Sequence, residues 1–211
     1  MSKSTVLVAL SLSTLHGEVV DRVAIAVGRH VITQSHLDTE VNVTAFLSDG
    51  PKKLDAATAR KQAAGRLIQQ TLIRREIEIT RFPMPKPDEA QSLFEQIRTP
   101  HGENFLKNLH AAGLQTQDLA AHLLWQLTLM RFVLYRFQPG ISIGDDEIKG
   151  YYEAQLPKWA AEGKSAPEME TIRKDIEDLL TQQRVDRALD GWLVEQRDQT
   201  QIVYRVKGLE E

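Results

Sequence analysis

The stretch 19-VVDRVAIAVGRHVITQSHLD-38 decides the fold, because its period changes partway through. Val23, Ile25 and Val27 alternate with smaller or polar residues, as in a half-buried strand. Gly28-Arg29 then offers a tight turn, and glycine there tolerates a positive φ. Val20–Val27 and His30–Ile32 therefore read as a hairpin. Beyond Thr33 the apolar spacing lengthens to that of a helix, and the Thr33 hydroxyl is placed to cap it.

Working outward, the rest of the chain is helical in pattern. The first helix carries Leu37, Val41 and Leu47, runs to about Asp49 and is stopped by Gly50-Pro51. Asp55 caps a proline-free helix reaching about Arg81, with Ala64, Leu67, Ile68, Leu72, Ile73 and Ile77 as its apolar stripe. Pro87 opens the next helix, where its missing N–H costs nothing, and Asp88 and Glu89 suit the helix dipole. That helix ends before Pro100. A short helix around Phe105–Leu109 stops at Gly113.

Thr116 is expected to cap a helix whose first stripe is Leu119, Leu123, Leu127, Met130, Leu134 and Phe137. Leu124, Leu129, Phe132 and Tyr135 form a second stripe. Such a helix is either the buried centre of a bundle or has a face awaiting a partner. His122, Gln126 and Arg131 make it a poor membrane span. Asp145, Asp146 and Glu147 open a further helix through Tyr151-Tyr152, followed by a loop to Glu170. Pro167 is expected to begin the last helix, which continues through Trp192 and Leu193. Ile202–Val206 alternates again and is the natural third strand, since a lone hairpin is marginal in water. The expected fold is mainly α: an irregular helical bundle with a small β-sheet made by the N-terminal hairpin and the C-terminal strand.

Composition narrows the function. A net charge of −3 lacks the basic footprint of a nucleic-acid binder. The absence of cysteine removes disulfides, thiol catalysis and thiolate metal sites. Residues 1–17, MSKSTVLVALSLSTLHG, run from Lys3 through an apolar segment to small residues, the order of a secretory signal peptide. Cleavage is expected near Gly17–Glu18, leaving residues 18–211 as one secreted domain that does not span the membrane once mature. An uncleaved N-terminal anchor is the alternative.

The six histidines show no metal-ligand spacing, no glycine-rich phosphate loop is present, and no G-x-S-x-G elbow occurs. No cofactor is expected and the chain is not read as an enzyme. The acidic run at Asp145–Glu147 is explained by helix capping. What remains is surface. If the second stripe is open, Trp125, Leu129, Phe132 and Tyr135 form an apolar substrate-binding patch, rimmed by Phe94, Phe105 and the FPMPKP loop.

These pieces, taken in order, resemble the core of SurA-type periplasmic chaperones. Val20, Asp21, Val23, Val27, Val31, Ile32, Thr33, Ser35 and Leu37 fit the family's opening pattern V-D-x-V-x-x-x-V-(N/G)-x-x-V-I-T-x-S-x-L. His36 stands where the family usually has an acid, so the capping partner is expected to be missing. LHAAGLQTQDLAAHLLWQLTLMRFVLYRF, ISIGDDEIKGYYEAQ and the segment from Ile172 to Arg205 resemble its later helices and closing strand. Members usually carry parvulin prolyl-isomerase domains before the last helix. Here only LPKWAAEGKSAPEME lies between, and domains rarely go below ~50 residues. The resemblance therefore implies an ATP-independent chaperone without isomerase activity, whose partners are unfolded or partly folded outer-membrane or exported proteins. The alternatives are a non-catalytic adaptor or subunit with one folded partner in the cell envelope, and an isomerase with an unorthodox site.

Overall fold

A computed structural model describes residues 21–48 and 55–210. The expected signal peptide and the Gly50-Pro51 stop lie outside the described residues.

Two strands, β1 (Val23–Val27) and β2 (His30–Thr33), lead into α1 (Gln34–Leu47). Then come α2 (Ala56–Thr80), α3 (Pro87–His101), α4 (Asn104–Ala111) and α5 (Thr116–Phe137). The chain ends with α6 (Asp145–Ala161), α7 (Met169–Asp198) and β3 (Ile202–Tyr204). The expected class is observed: among the described residues, seven helices accompany a three-stranded antiparallel sheet ordered β2-β1-β3.

Ile25 sits at the centre of that sheet, opposite Ile32 on one side and Tyr204 on the other. Gly28 has φ +58°, the left-handed backbone the turn needs, and its N–H donates to the Gln201 carbonyl at 2.8 Å. One sheet face packs on α1 and α2 through Ala24, Ile32, Leu37, Ala64, Ile68 and Leu72, with Leu209 sealing the end. A second cluster joins α1, α3, α4 and the start of α5 through Val43, Phe94, Phe105, Leu109 and Leu119. A third joins α2, α5 and α7 through Ile73, Ile77, Trp125 and Phe132, with Trp192 alongside.

Several helix ends depart from expectation. Thr33 does cap α1, accepting from the His36 N–H at 3.4 Å. His36 is not a missing partner: its Nδ1 accepts the Thr33 N–H at 3.4 Å and completes the reciprocal cap. Asp55 caps α2 as expected, accepting from Thr58 N–H at 3.0 Å. At α5 the cap position is Gln115, not Thr116, and the Asp118 carboxylate accepts the Gln115 N–H at 2.7 Å.

α3 runs on through Pro100, and α6 runs through Pro157 to Ala161. The extra turns of α6 are held by Trp159, whose ring lies 5.6 Å from that of Tyr152. Pro167 does not begin α7. Its carbonyl instead accepts the Tyr152 hydroxyl at 2.8 Å, tying the α6–α7 connection to α6. Ion pairs Asp145–Arg173 and Glu147–Arg184 clasp the two helices. Among the described residues, no helix is long and apolar enough to cross a membrane.

Candidate functional site

The opening motif builds a corner. Ser35 N–H donates to Asp21 Oδ1 at 3.3 Å, and the Ser35 hydroxyl bonds the same carboxylate. The Ser35 and Thr33 hydroxyls hold the Asp21 carboxyl below its ordinary range. This corner turns the chain from β2 directly into α1. The outer side of β2 is thereby left as a sheet edge, paired with β1 alone among the described residues.

Beside that edge lies a cleft of about 470 Å³, walled by β2, α1, α2 and α5. Val31, 53% exposed, stands at its mouth. Its interior is polar on one side. Glu40 is only 7% exposed although charged, and it accepts from Arg66 Nε at 2.6 Å. Arg66 also donates to Thr44 Oγ1 at 3.0 Å. His122 Nδ1 lies 3.9 Å from the other Glu40 oxygen. Burial pushes the His122 imidazole below its ordinary pKa, against the opposing pull of Glu40 and with a smaller push from Arg66. A carboxylate this deep is tolerated because the Arg66 guanidinium pairs with it directly.

The other side of the cleft is aromatic and cationic. The Arg74 guanidinium sits over the Trp125 ring, 4.1 Å from its centroid. Partial burial lowers the Arg74 pKa, and Glu78, one turn along α2, offsets this in part. The Trp125 indole N–H is buried without a hydrogen-bond partner among the described residues. Thr71 does not face the cleft with a free hydroxyl, since it donates to the Leu67 carbonyl at 2.7 Å. The arrangement is suited to binding: an open backbone edge, apolar walls and hydrogen-bond donors.

The six side chains expected to form one patch do not form it. Phe94 and Phe105 are each 3% exposed and pack edge-to-face at 5.8 Å in the second cluster. Phe105 also lines a second cavity of about 450 Å³ with Phe46 and Ile97. Phe132 is fully buried and Leu129 half-buried in the third cluster. Trp125 is buried too, yet it lines the β2 cleft. Only Tyr135 is open, at 61%, packed on Phe82 at 5.1 Å. The physical reason is rotation of α5: α2 and α7 cover its Trp125–Phe132 side. Its solvent-facing arc instead carries Met130, Leu134 and Tyr135.

Of the side chains that shape the cleft, the sequence singles out Trp125 but not Glu40, Arg66, Arg74 or His122. Glu40 carried a signal, because it falls between Leu37 and Val43 at three-residue spacing, a charge on the apolar face of α1. Arg66, Arg74 and His122 carried none, since each sits in an ordinary amphipathic pattern. Compared with known proteins, the chain matches no protein-family model and no curated protein.

Proposed function

We propose that the chain binds extended, unfolded polypeptides without ATP, acting as a periplasmic chaperone for outer-membrane or exported proteins and catalysing no prolyl isomerisation. The observation that carries this reading is the cleft running beside the unpaired edge of β2. An edge strand offers a row of free N–H and C=O groups to which an extended chain can add. Folded partners have their own backbone groups engaged, so such an edge favours clients that are still open. Exposed Met130, Leu134 and Tyr135 add a second apolar contact, and methionine adapts to varied partners.

The family resemblance supplies the client class. The connection at residues 162–168 supports a chaperone without an isomerase domain, as it is too short to hold one. Aggregation of several unrelated unfolded barrel-forming proteins should be suppressed at near-stoichiometric amounts of the purified chain. Failure with all of them, together with co-purification of one folded protein, would establish the adaptor reading instead. Mass spectrometry of the N-terminus of protein recovered from cells tests secretion, with cleavage near Gly17–Glu18 as the expected result.

A further inference from the structure

In the β2 cleft the carboxylates of Glu40 and Asp118 are engaged, whereas the Arg74 guanidinium, with Glu78 one turn away, makes no hydrogen bond or ion pair among the described residues. The Glu40 carboxylate is held by Arg66 at 2.6 Å. Asp118 accepts the Gln115 backbone N–H at 2.7 Å. Arg66 in turn is occupied by Glu40 and Thr44. Arg74 is different. It lines the same cleft, is partly open to solvent, and makes neither a hydrogen bond nor an ion pair with any described residue. Glu78 raises its hold on the proton yet makes no ion pair with it.

The Arg74 guanidinium carbon lies over the Trp125 ring, 4.1 Å from its centroid. A guanidinium held on an aromatic face still has its N–H fork for a carboxylate, which it can take through two parallel hydrogen bonds. His30 and His36 line the same cleft and add no negative charge.

We propose that Arg74 is the specificity-determining contact of the cleft: it takes a carboxylate of the bound polypeptide, from a chain terminus or an Asp or Glu side chain. This rests on the polypeptide-binding reading above. The extended segment lies along the β2 edge, and its carboxylate closes on the face of Arg74 left open by Trp125. Apolar segments that carry an acidic group nearby are thereby preferred over neutral ones.

The test uses three fluorescein-labelled apolar octapeptides of one parent sequence: one with a free C-terminal carboxylate, one amidated, and one amidated with a single internal Glu. Fluorescence anisotropy at low salt reads their affinity for the full chain. At least one carboxylate peptide should bind roughly ten-fold tighter than the neutral amide. Whether the terminus or the internal Glu gains identifies the source. Arg74→Gln should abolish the preference, so that all three peptides bind alike, and Arg74→Lys should restore only part of it. Equal binding of all three peptides overturns the proposal and leaves polypeptide binding standing, as does a preference that survives in Arg74→Gln. No binding by any peptide overturns both.

Discussion

Replacing Phe132 with alanine separates core from surface on α5. Phe132 is fully buried, with its ring 5.4 Å from Phe82 in an edge-to-face contact and Ile73, Ile77 and Trp192 in the same cluster. The loss combines the transfer free energy of the removed ring with the cavity left behind. For Phe→Ala in a core that is about 3–5 kcal/mol. A domain's whole stability is roughly 5–15 kcal/mol, so the change removes a large fraction of it. At about 2–4 °C per kcal/mol for a chain of this size, Tm should fall by roughly 6–20 °C. Tyr135→Ala on the same helix is the control. Tyr135 is 61% exposed, with its ring tilted against Phe82, so its cost should stay within about 1 kcal/mol. Differential scanning calorimetry of both variants gives the comparison. If Phe132→Ala melts with the wild type while losing client suppression, Phe132 is a surface contact and the packing assigned to α5 is wrong.

Three further outcomes are expected. Gly28→Ala forces a side chain into positive φ at the hairpin and should cost about 1 kcal/mol by chemical denaturation, although its Cβ would meet Thr200 at an ordinary 3.5 Å; no loss would mean the turn relaxes freely. Burial holds the His122 imidazole low despite Glu40, so the unfolded chain takes up that proton more readily. Its contribution is intact above pH ~6.5 and declines as pH falls from there toward the depressed folded value. His122→Gln should therefore lose less Tm than the wild type on acidification across that window, and equal losses would contradict the assignment. Truncation after Gln201 removes Ile202, Tyr204 and the buried Leu209, and should abolish hydrogen-exchange protection of β1 amides. Full protection in the truncated chain would show that β3 is dispensable.

Local signals carried most of the fold. The alternation at Val23–Val27, the glycine turn, the Asp55 cap and the closing strand each depend on neighbours within a few residues, and each is present. The misreadings share one cause. Pro167 signals a helix start by its position alone, but the α6–α7 connection is set by Tyr152 contacts that no local pattern encodes. His36 stands where the resemblance expects an acid, yet its imidazole nitrogen accepts the same N–H. On α5, apolar residues occupy nearly the whole circumference, so periodicity alone cannot choose which arc faces α2 and α7. The cleft was illegible for a stronger reason: Glu40, Arg66 and Arg74, and His122 and Trp125, come from three different helices and meet only in the folded chain.

The sheet has a consequence for biosynthesis. Ile25 and its partner Tyr204 are separated by about 180 residues of chain. At roughly 5–20 residues per second, β3 is made about 10–40 s after β1. Throughout that interval β1 is itself a strand with an open edge, the kind of surface that seeds misassembly. A nascent molecule of this protein therefore passes through the same vulnerable state as the clients proposed for it. Ribosomes that stop short of Tyr204 release chains that cannot leave it.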